Sequence, residues 1–266
     1  MNKLININTN KLHTITLETI NNDITINVDK HTHASLFIKY SINVEQVTIK
    51  LNLLDNAYLD VCFWNDSAAN INIDHTINVY KDATLNAAYA DFSSSNANYN
   101  LKVNLLGKGS NVKTSSASLV GNSVHYDILC THEEGHNICN NENYAVVLTN
   151  ADFSIKDTGK IIKGASEAKS HQTTRVLTMS KNHKSTVEPL LLIDENDVEA
   201  SHATSLGQID ENQLYYLQTR GLSTQQAMGL LTTGYLLPIA KTIQDEELQA
   251  TLAKEIESKV ASKCLI

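Results

Sequence analysis

The chain has 266 residues, 42% of them hydrophobic, and a net charge of -8, which is enough to bury a real core in one large domain or two unequal ones. An acidic balance without a basic stripe argues against nucleic acid, whose phosphates select Lys and Arg, and against an anionic membrane surface. No apolar run is long enough to cross a bilayer, the first residues carry no continuous apolar signal stretch, and the four cysteines, Cys62, Cys130, Cys139 and Cys264, form no CxxC pair, so the sequence predicts a soluble cytoplasmic protein without a disulfide scaffold.

From the start to about Pro189 the dominant pattern is alternation with period two. Ile24, Ile26 and Val28 point one way and Thr25 and Asn27 the other. The same reading covers Val47, Ile49, Leu51 and Leu53, then Ile71 and Ile73, Ile77 and Val79, and Tyr99, Leu101, Val103 and Leu105. Such spacing sets one face on a core and one in solvent. The strands restart at roughly a dozen residues' interval, with Asn, Asp, Ser and Gly between them. With ten glycines and two prolines, much of the turn work falls to Asn, whose short amide tolerates left-handed backbone. No helix interrupts the series. An all-β body of this kind is a sandwich, a barrel or a solenoid; no fixed-length repeat stands out, and periodicity leaves the choice open.

After residue 209 the pattern becomes helical. Asp210 with Gln213 is a capping-box-like start to a helix through Leu214, Tyr215 and Leu217, ending at Gly221. Ser223, with Gln226 three places on, caps a second helix carrying Ala227, Leu230, Leu231 and Ile239. Asp245-Glu246-Glu247 suits the positive end of a third, whose stripe is Leu248, Leu252, Ile256 and Val260, with Glu255 and Lys259 as an i,i+4 pair. The chain therefore divides into a β body, residues 1–209, and a helical segment, residues 210–266. Around Tyr235, Leu236, Leu237 and Ile239 the helical segment is more apolar than a solvated surface needs, the mark of an interface.

His132-Glu133-Glu134-Gly135-His136 matches HExxH, but that zinc signature needs a helix so that both imidazoles share one face. Here it follows the strand-like Val124–Leu129, contains Gly135 and runs into Asn140-Asn141, so it reads as strand and turn. His31 and His33 would face one way on a strand and could share a metal, though two polar residues on a solvated face explain them as well. There is no GxxxxGK[ST] phosphate loop and no GxSxG. Cys62 and Cys130 stand in apolar strand contexts as small buried hydrophobes; Cys264 reads as an exposed thiol.

The stretch Glu199-Ala200-Ser201-His202-Ala203-Thr204 through Ile209-Asp210-Glu211-Asn212-Gln213-Leu214-Tyr215-Tyr216-Leu217 to Arg220-Gly221, followed by Gly234-Tyr235-Leu236, resembles the C-terminal signature of the SufB/SufD family, scaffold proteins of the SUF iron–sulfur cluster assembly system. Gly159-Lys160-Ile161-Ile162, Ala168, Gln172 and Leu177 are spaced as in that family, and His132 and His136 fall at its H-x-x-x-H strand-to-turn element. The resemblance is specific from about Asp127 to Ile243. It implies a right-handed parallel β-helix with flanking helices. It also implies an ABC-type ATPase, SufC, bound through the C-terminal helices (here Tyr235, Leu236, Leu237 and Ile239), and a SufB-like chain or a second copy paired through the β-helix. A nascent iron–sulfur cluster would form transiently near that scaffold interface. The family's long N-terminal helical domain has no counterpart, since alternation begins by Ile24. Ala200 stands two places before His202, where the family often has Cys, Ala203 replaces the carboxylate of the SufB branch, and His183, ahead of Pro189, occupies its thiolate position. The chain thus resembles the SufD branch, a non-catalytic subunit with His202 as its candidate cluster ligand; a hydrogen-bonded structural histidine at a strand-to-helix corner is the competing role. A carbohydrate-binding or carbohydrate-processing β-helix, the rival function, calls for clustered carboxylates on adjacent strands and a signal sequence, and neither is found.

Overall fold

In the computed structural model of the protein, residues 3–264 are described, with side chains through residue 262. The alternating segments form two eight-stranded sheets in which consecutive strands go to opposite sheets. The first holds β1 (Lys3–Ile7), β3 (Asn21–Val28), β5 (Gln46–Leu53), β7 (Ile71–Val79), β9 (Ala97–Leu105), β11 (Ser123–His132), β13 (Asp152–Ile161) and β15 (Lys184–Ile193). The second holds β2 (Leu12–Leu17), β4 (His33–Tyr40), β6 (Tyr58–Asn65), β8 (Thr84–Asp91), β10 (Asn111–Val120), β12 (Ile138–Val147), β14 (Ala168–Thr178) and β16 (Val198–Gln208). Each strand pairs in parallel with the strand two before it, as in the β3–β5 and β12–β14 ladders, so the chain winds as a parallel β-helix. Sandwich and barrel are thereby excluded.

Alternation becomes packing in the lumen between the sheets. Ile26, Leu51, Ile77 and Val103 stack on successive turns, each at most 2% exposed, and a neighbouring column carries the stacked Tyr99–Tyr126 pair, with ring centroids 4.3 Å apart. On the outer side of the first sheet, Asn27, Asn52, Asn78 and Asn104 form an amide ladder. Each donates to the side-chain oxygen of the asparagine on the turn before, 2.8–3.1 Å away, Asn27 to Asn6. The last three steps span 25, 26 and 26 residues, which is the repeat of the solenoid. The sequence carries it as Ile26-Asn27-Val28, Leu51-Asn52-Leu53, Ile77-Asn78-Val79 and Val103-Asn104-Leu105.

Corners also stack. His31, Asn56, Asp82, Gly109, His136 and Glu167 all have positive φ, between 51° and 76°, a region open to glycine and tolerated by Asn, Asp and His. Asn56 N–H donates to Lys81 O (2.9 Å), Asp82 N–H to Lys108 O (3.0 Å) and His136 N–H to Ser166 O (2.8 Å), tying each corner to the next. Asparagine thus shares the turn work with histidine and acidic residues. His31 sits at a corner before β4 begins, so it does not share a strand face with His33.

Three helices follow the last strand: α1 (Glu211–Thr219), α2 (Thr224–Leu236) and α3 (Glu246–Cys264), with a 3-10 turn at Leu237–Thr242 between the last two. Asp210 caps α1 through Asn212 N–H, and Ser223 with Gln226 forms a complete capping box on α2. Leu248, Leu252, Ile256 and Val260, with Leu236, Ile239, Ala240 and Ile243, pack on the outer face of the second sheet against Cys62, Trp64, Ala88, Ala90, Phe92, Ala117, Leu119 and Val146. Asp60 Oδ2 fixes the start of α3 by accepting from the N–H groups of Gln244 (2.9 Å) and Asp245 (2.7 Å). The apolar segment predicted to be a partner surface is therefore taken up by the chain itself. Leu236 and Ile239 are fully buried, and Tyr235 and Leu237 are half-buried on the same cluster. No helix among the described residues is long and apolar enough to cross a membrane. The Cys264 side chain lies outside the described residues.

Candidate functional site

Stacking stops at β15 and β16. Each is the last strand of its sheet, paired on one side only, with β13 and with β14. Almost all of β16 is exposed, and β15 alternates between exposed and half-buried. Around this open end Leu190, Leu192, Ile193 and Leu206 are 38–50% exposed. An unpaired edge with apolar side chains is a template for another strand.

Register places His202 beside Gln172, which in turn pairs with Asn141, and Asn141 with Thr114. These partners face the lumen, so His202 continues a polar column out to the open end. Its buried members are hydrogen-bonded, except that Gln172 Oε1 has no partner. Thr114 Oγ1 donates to Asn141 Oδ1 (2.6 Å). Asn141 Nδ2 (2.8 Å) and Asn143 Nδ2 (3.0 Å) donate to the two carboxylate oxygens of Asp157, and Gln172 Nε2 donates to the backbone oxygens of Asp157 (3.0 Å) and Leu190 (3.2 Å). Burial raises the Asp157 carboxyl to about 6, and the two asparagine amides restrain the rise. Gly159 lets the two sheets close here, because a Cβ on it would lie 2.5 Å from Ser170 Oγ and 3.3 Å from Gln172 Nε2. His202 itself is exposed, on a strand rather than at the strand-to-helix corner. His183 lies in the turn before β15, its Nδ1 2.9 Å from Ser185 Oγ.

The HExxH histidines part company. His136 is outside, at a corner, with Nδ1 3.0 Å from Glu167. His132 ends β11 facing the lumen, 0% exposed, with neither ring nitrogen hydrogen-bonded. Burial pushes its imidazole down to about 4, so it is neutral. A helical zinc face does not exist here. Contrary to the sequence expectation, Cys130 is not an isolated hydrophobe: its sulfur meets that of Cys139 as a disulfide pair. Among the described residues Cys62 is the free cysteine, and burial pushes its thiol far up.

Chemically, the open end can extend two sheets and offer one imidazole. A single imidazole does not by itself hold an iron–sulfur cluster, which is met chiefly by thiolates.

The family described as SUF system FeS cluster assembly, SufBD core domain, matches residues 9–235. The chain is similar to the iron–sulfur cluster assembly protein SufD of Bacillus subtilis (strain 168), 39% identical over 117 residues, 44% of this chain and 27% of the relative. It is similar to SufD of Escherichia coli (strain K12) at 22% identity over 164 residues, 61% of this chain and 39% of the relative. An iron–sulfur cluster assembly SufBD family protein of Pyrococcus horikoshii is 34% identical over 88 residues, 33% of this chain and 20% of the relative. The chain thus spans well under two thirds of the length of the relatives it matches.

Proposed function

The chain belongs to the SufBD family of iron–sulfur cluster assembly proteins and is SufD-like; from that premise we propose that it is a non-catalytic scaffold subunit whose open β-helix end pairs with a SufB-like chain or a second copy. The observation that carries this reading is the unfinished last turn: two unpaired strand edges, an apolar rim at Leu190, Leu192, Ile193 and Leu206, and His202 at the end of a lumen-facing column. A partner strand against β15 and β16 satisfies the free backbone groups and covers the rim. The nascent cluster is the cargo of this interface, with His202 giving one ligand and the sister chain the thiolates. ATP is hydrolysed by a SufC-like partner, because this chain has no phosphate loop.

The ATPase contact falls on the helices, at the residues they leave outside. Helix α1 has no buried residue. Tyr215 and Tyr216 on it are 69% and 55% exposed, and Leu230 on α2 is 54% exposed. Large exposed rings of this kind are interface anchors.

Co-expression of the chain with a SufB-like chain and its ATPase tests the proposal. The three should co-elute on size exclusion. Leu192→Glu with Leu206→Glu should release the sister chain and keep the ATPase; Tyr215→Ala with Leu230→Ala should do the reverse. Co-elution unchanged in both variants defeats the assignment of these surfaces.

A further inference from the structure

Cys130, Cys139 and His132 meet inside the lumen, although the sequence offers them as two separate small hydrophobes and half of a false zinc motif. Cys130 and His132 are two apart on β11 and so face the same way. Cys139 is the second residue of β12, just past the corner, and looks back at them from the other sheet. All three are buried, at 0–1% exposure, and their ligand atoms lie within 4.8 Å of one another. A fully buried imidazole with both nitrogens unpartnered is costly. Instead of a hydrogen-bond partner, it has the sulfurs of Cys130 and Cys139 within 4.8 Å. The Cα atoms of the two cysteines are 7.2 Å apart, beyond the span of about 4.4–6.8 Å that disulfides ordinarily bridge.

We propose that the reduced Cys130–Cys139 pair and His132 form an interior site for one thiophilic divalent cation. The donor set of two thiolates and one imidazole is that of zinc, cobalt(II) or iron(II). Around a zinc ion, with Zn–S about 2.3 Å and Zn–N about 2.0 Å, three such ligands sit roughly 3.5–3.8 Å apart, which requires the two sulfurs to separate while His132 stays in place. Binding converts two thiols to thiolates and releases two protons to solvent, with no change of oxidation state. Oxidation of the pair to the disulfide removes the thiolates, so the site holds the ion only when reduced. A fourth tetrahedral position remains for water or an incoming ligand. The site lies within the β-helix and does not depend on the scaffold reading of the open end.

The test uses the full chain carrying Cys62→Ser and Cys264→Ser, so that the only thiols are Cys130 and Cys139. It is reduced, freed of metal, and titrated with cobalt(II) both in the native state and during refolding from denaturant, which removes any barrier to entry. The expected result is one equivalent of cobalt with an intense near-ultraviolet thiolate-to-metal band, displaced by zinc and abolished by prior oxidation of the pair. Further replacement of Cys139 by Ser, or of His132 by Gln, should weaken binding at least about 100-fold, more than the 10–100-fold lost with an outer-shell partner. Absence of the thiolate band in the reduced Cys62→Ser, Cys264→Ser chain in both formats overturns the site. So does a pair that native-state thiol counting finds still oxidised after reduction, or cobalt binding unchanged by Cys139→Ser.

Discussion

Leu252→Ala measures how firmly the helices are held to the β-helix. Leu252 is fully buried between α3 and the outer face of the second sheet. The change removes three carbons; at about 0.8 kcal/mol per buried methylene the transfer loss is about 2.4 kcal/mol. The cavity left behind adds about 1 kcal/mol or more at roughly 24 cal/mol per Å3. Alanine's slightly better helix propensity returns only about 0.2 kcal/mol. The expected net destabilisation is roughly 3 kcal/mol. Urea unfolding followed by circular dichroism reads the global effect, and hydrogen exchange along α3 reads local release of the helix. Leu230→Ala, on the exposed side of α2, is the control and should stay within about 0.5 kcal/mol. If Leu252→Ala also stays within that margin and α3 keeps its protection, the helices are not packed on the sheet as described. The same packing predicts that deleting everything after residue 222 uncovers Trp64, Ala88, Phe92 and Leu119, so the truncated β body should aggregate.

Three further outcomes follow from the lumen and from the amide ladder outside it. Gly159→Ala should destabilise by about 1–2 kcal/mol, because the new Cβ meets Ser170 Oγ at 2.5 Å, and the double change with Ser170→Ala should recover most of it; a stabilised Gly159→Ala rejects the close approach of the sheets. Asp157, raised to about 6 in the folded chain against about 4 unfolded, binds its proton more tightly when folded. Stability should therefore fall as pH rises from about 4 to about 6, by roughly 2–3 kcal/mol, and level off above. Urea titrations of the chain and of Asp157→Asn across that window check the sign: a variant as steep as the parent assigns the slope to other groups, among them Asp91, which burial also raises. Asn78→Leu should cost about 1–3 kcal/mol by leaving Asn52 Oδ1 without its donor and Asn104 Nδ2 without its acceptor, and a neutral result by thermal unfolding denies the ladder its role.

Much of this architecture is legible in the sequence once the spacing is known. Alternation at Ile24–Val28 and Val47–Leu53 gave strands and their inward faces, and capping residues Asp210 and Ser223 marked two helix starts. The recurrence of apolar-Asn-apolar at Asn27, Asn52, Asn78 and Asn104 spells out the solenoid repeat, but a search for a strict motif passes over it because the steps differ by one residue. Strands β6, β8 and β10 break alternation: in Val61-Cys62-Phe63-Trp64 both faces are apolar, which signals a second covered face and could have sent Leu236 and Ile239 to the chain's own core. The lumen sites lay beyond local pattern. That His202 extends the Gln172–Asn141 column, and that Cys139 returns to Cys130 and His132 across a corner, are facts of register between strands, and no spacing rule along one strand contains them.

The most direct measurement of the scaffold account is His202→Ala, with thermal stability of the chain and cluster maturation by the complex with the SufB-like chain and its ATPase read side by side. His202 is exposed on an unpaired strand, so the folded chain should be little affected, with a Tm change within about 2 °C, while maturation falls by at least tenfold with co-elution of the three chains intact. A Tm loss of many degrees, with maturation reduced only in proportion to the folded fraction, would contradict the account.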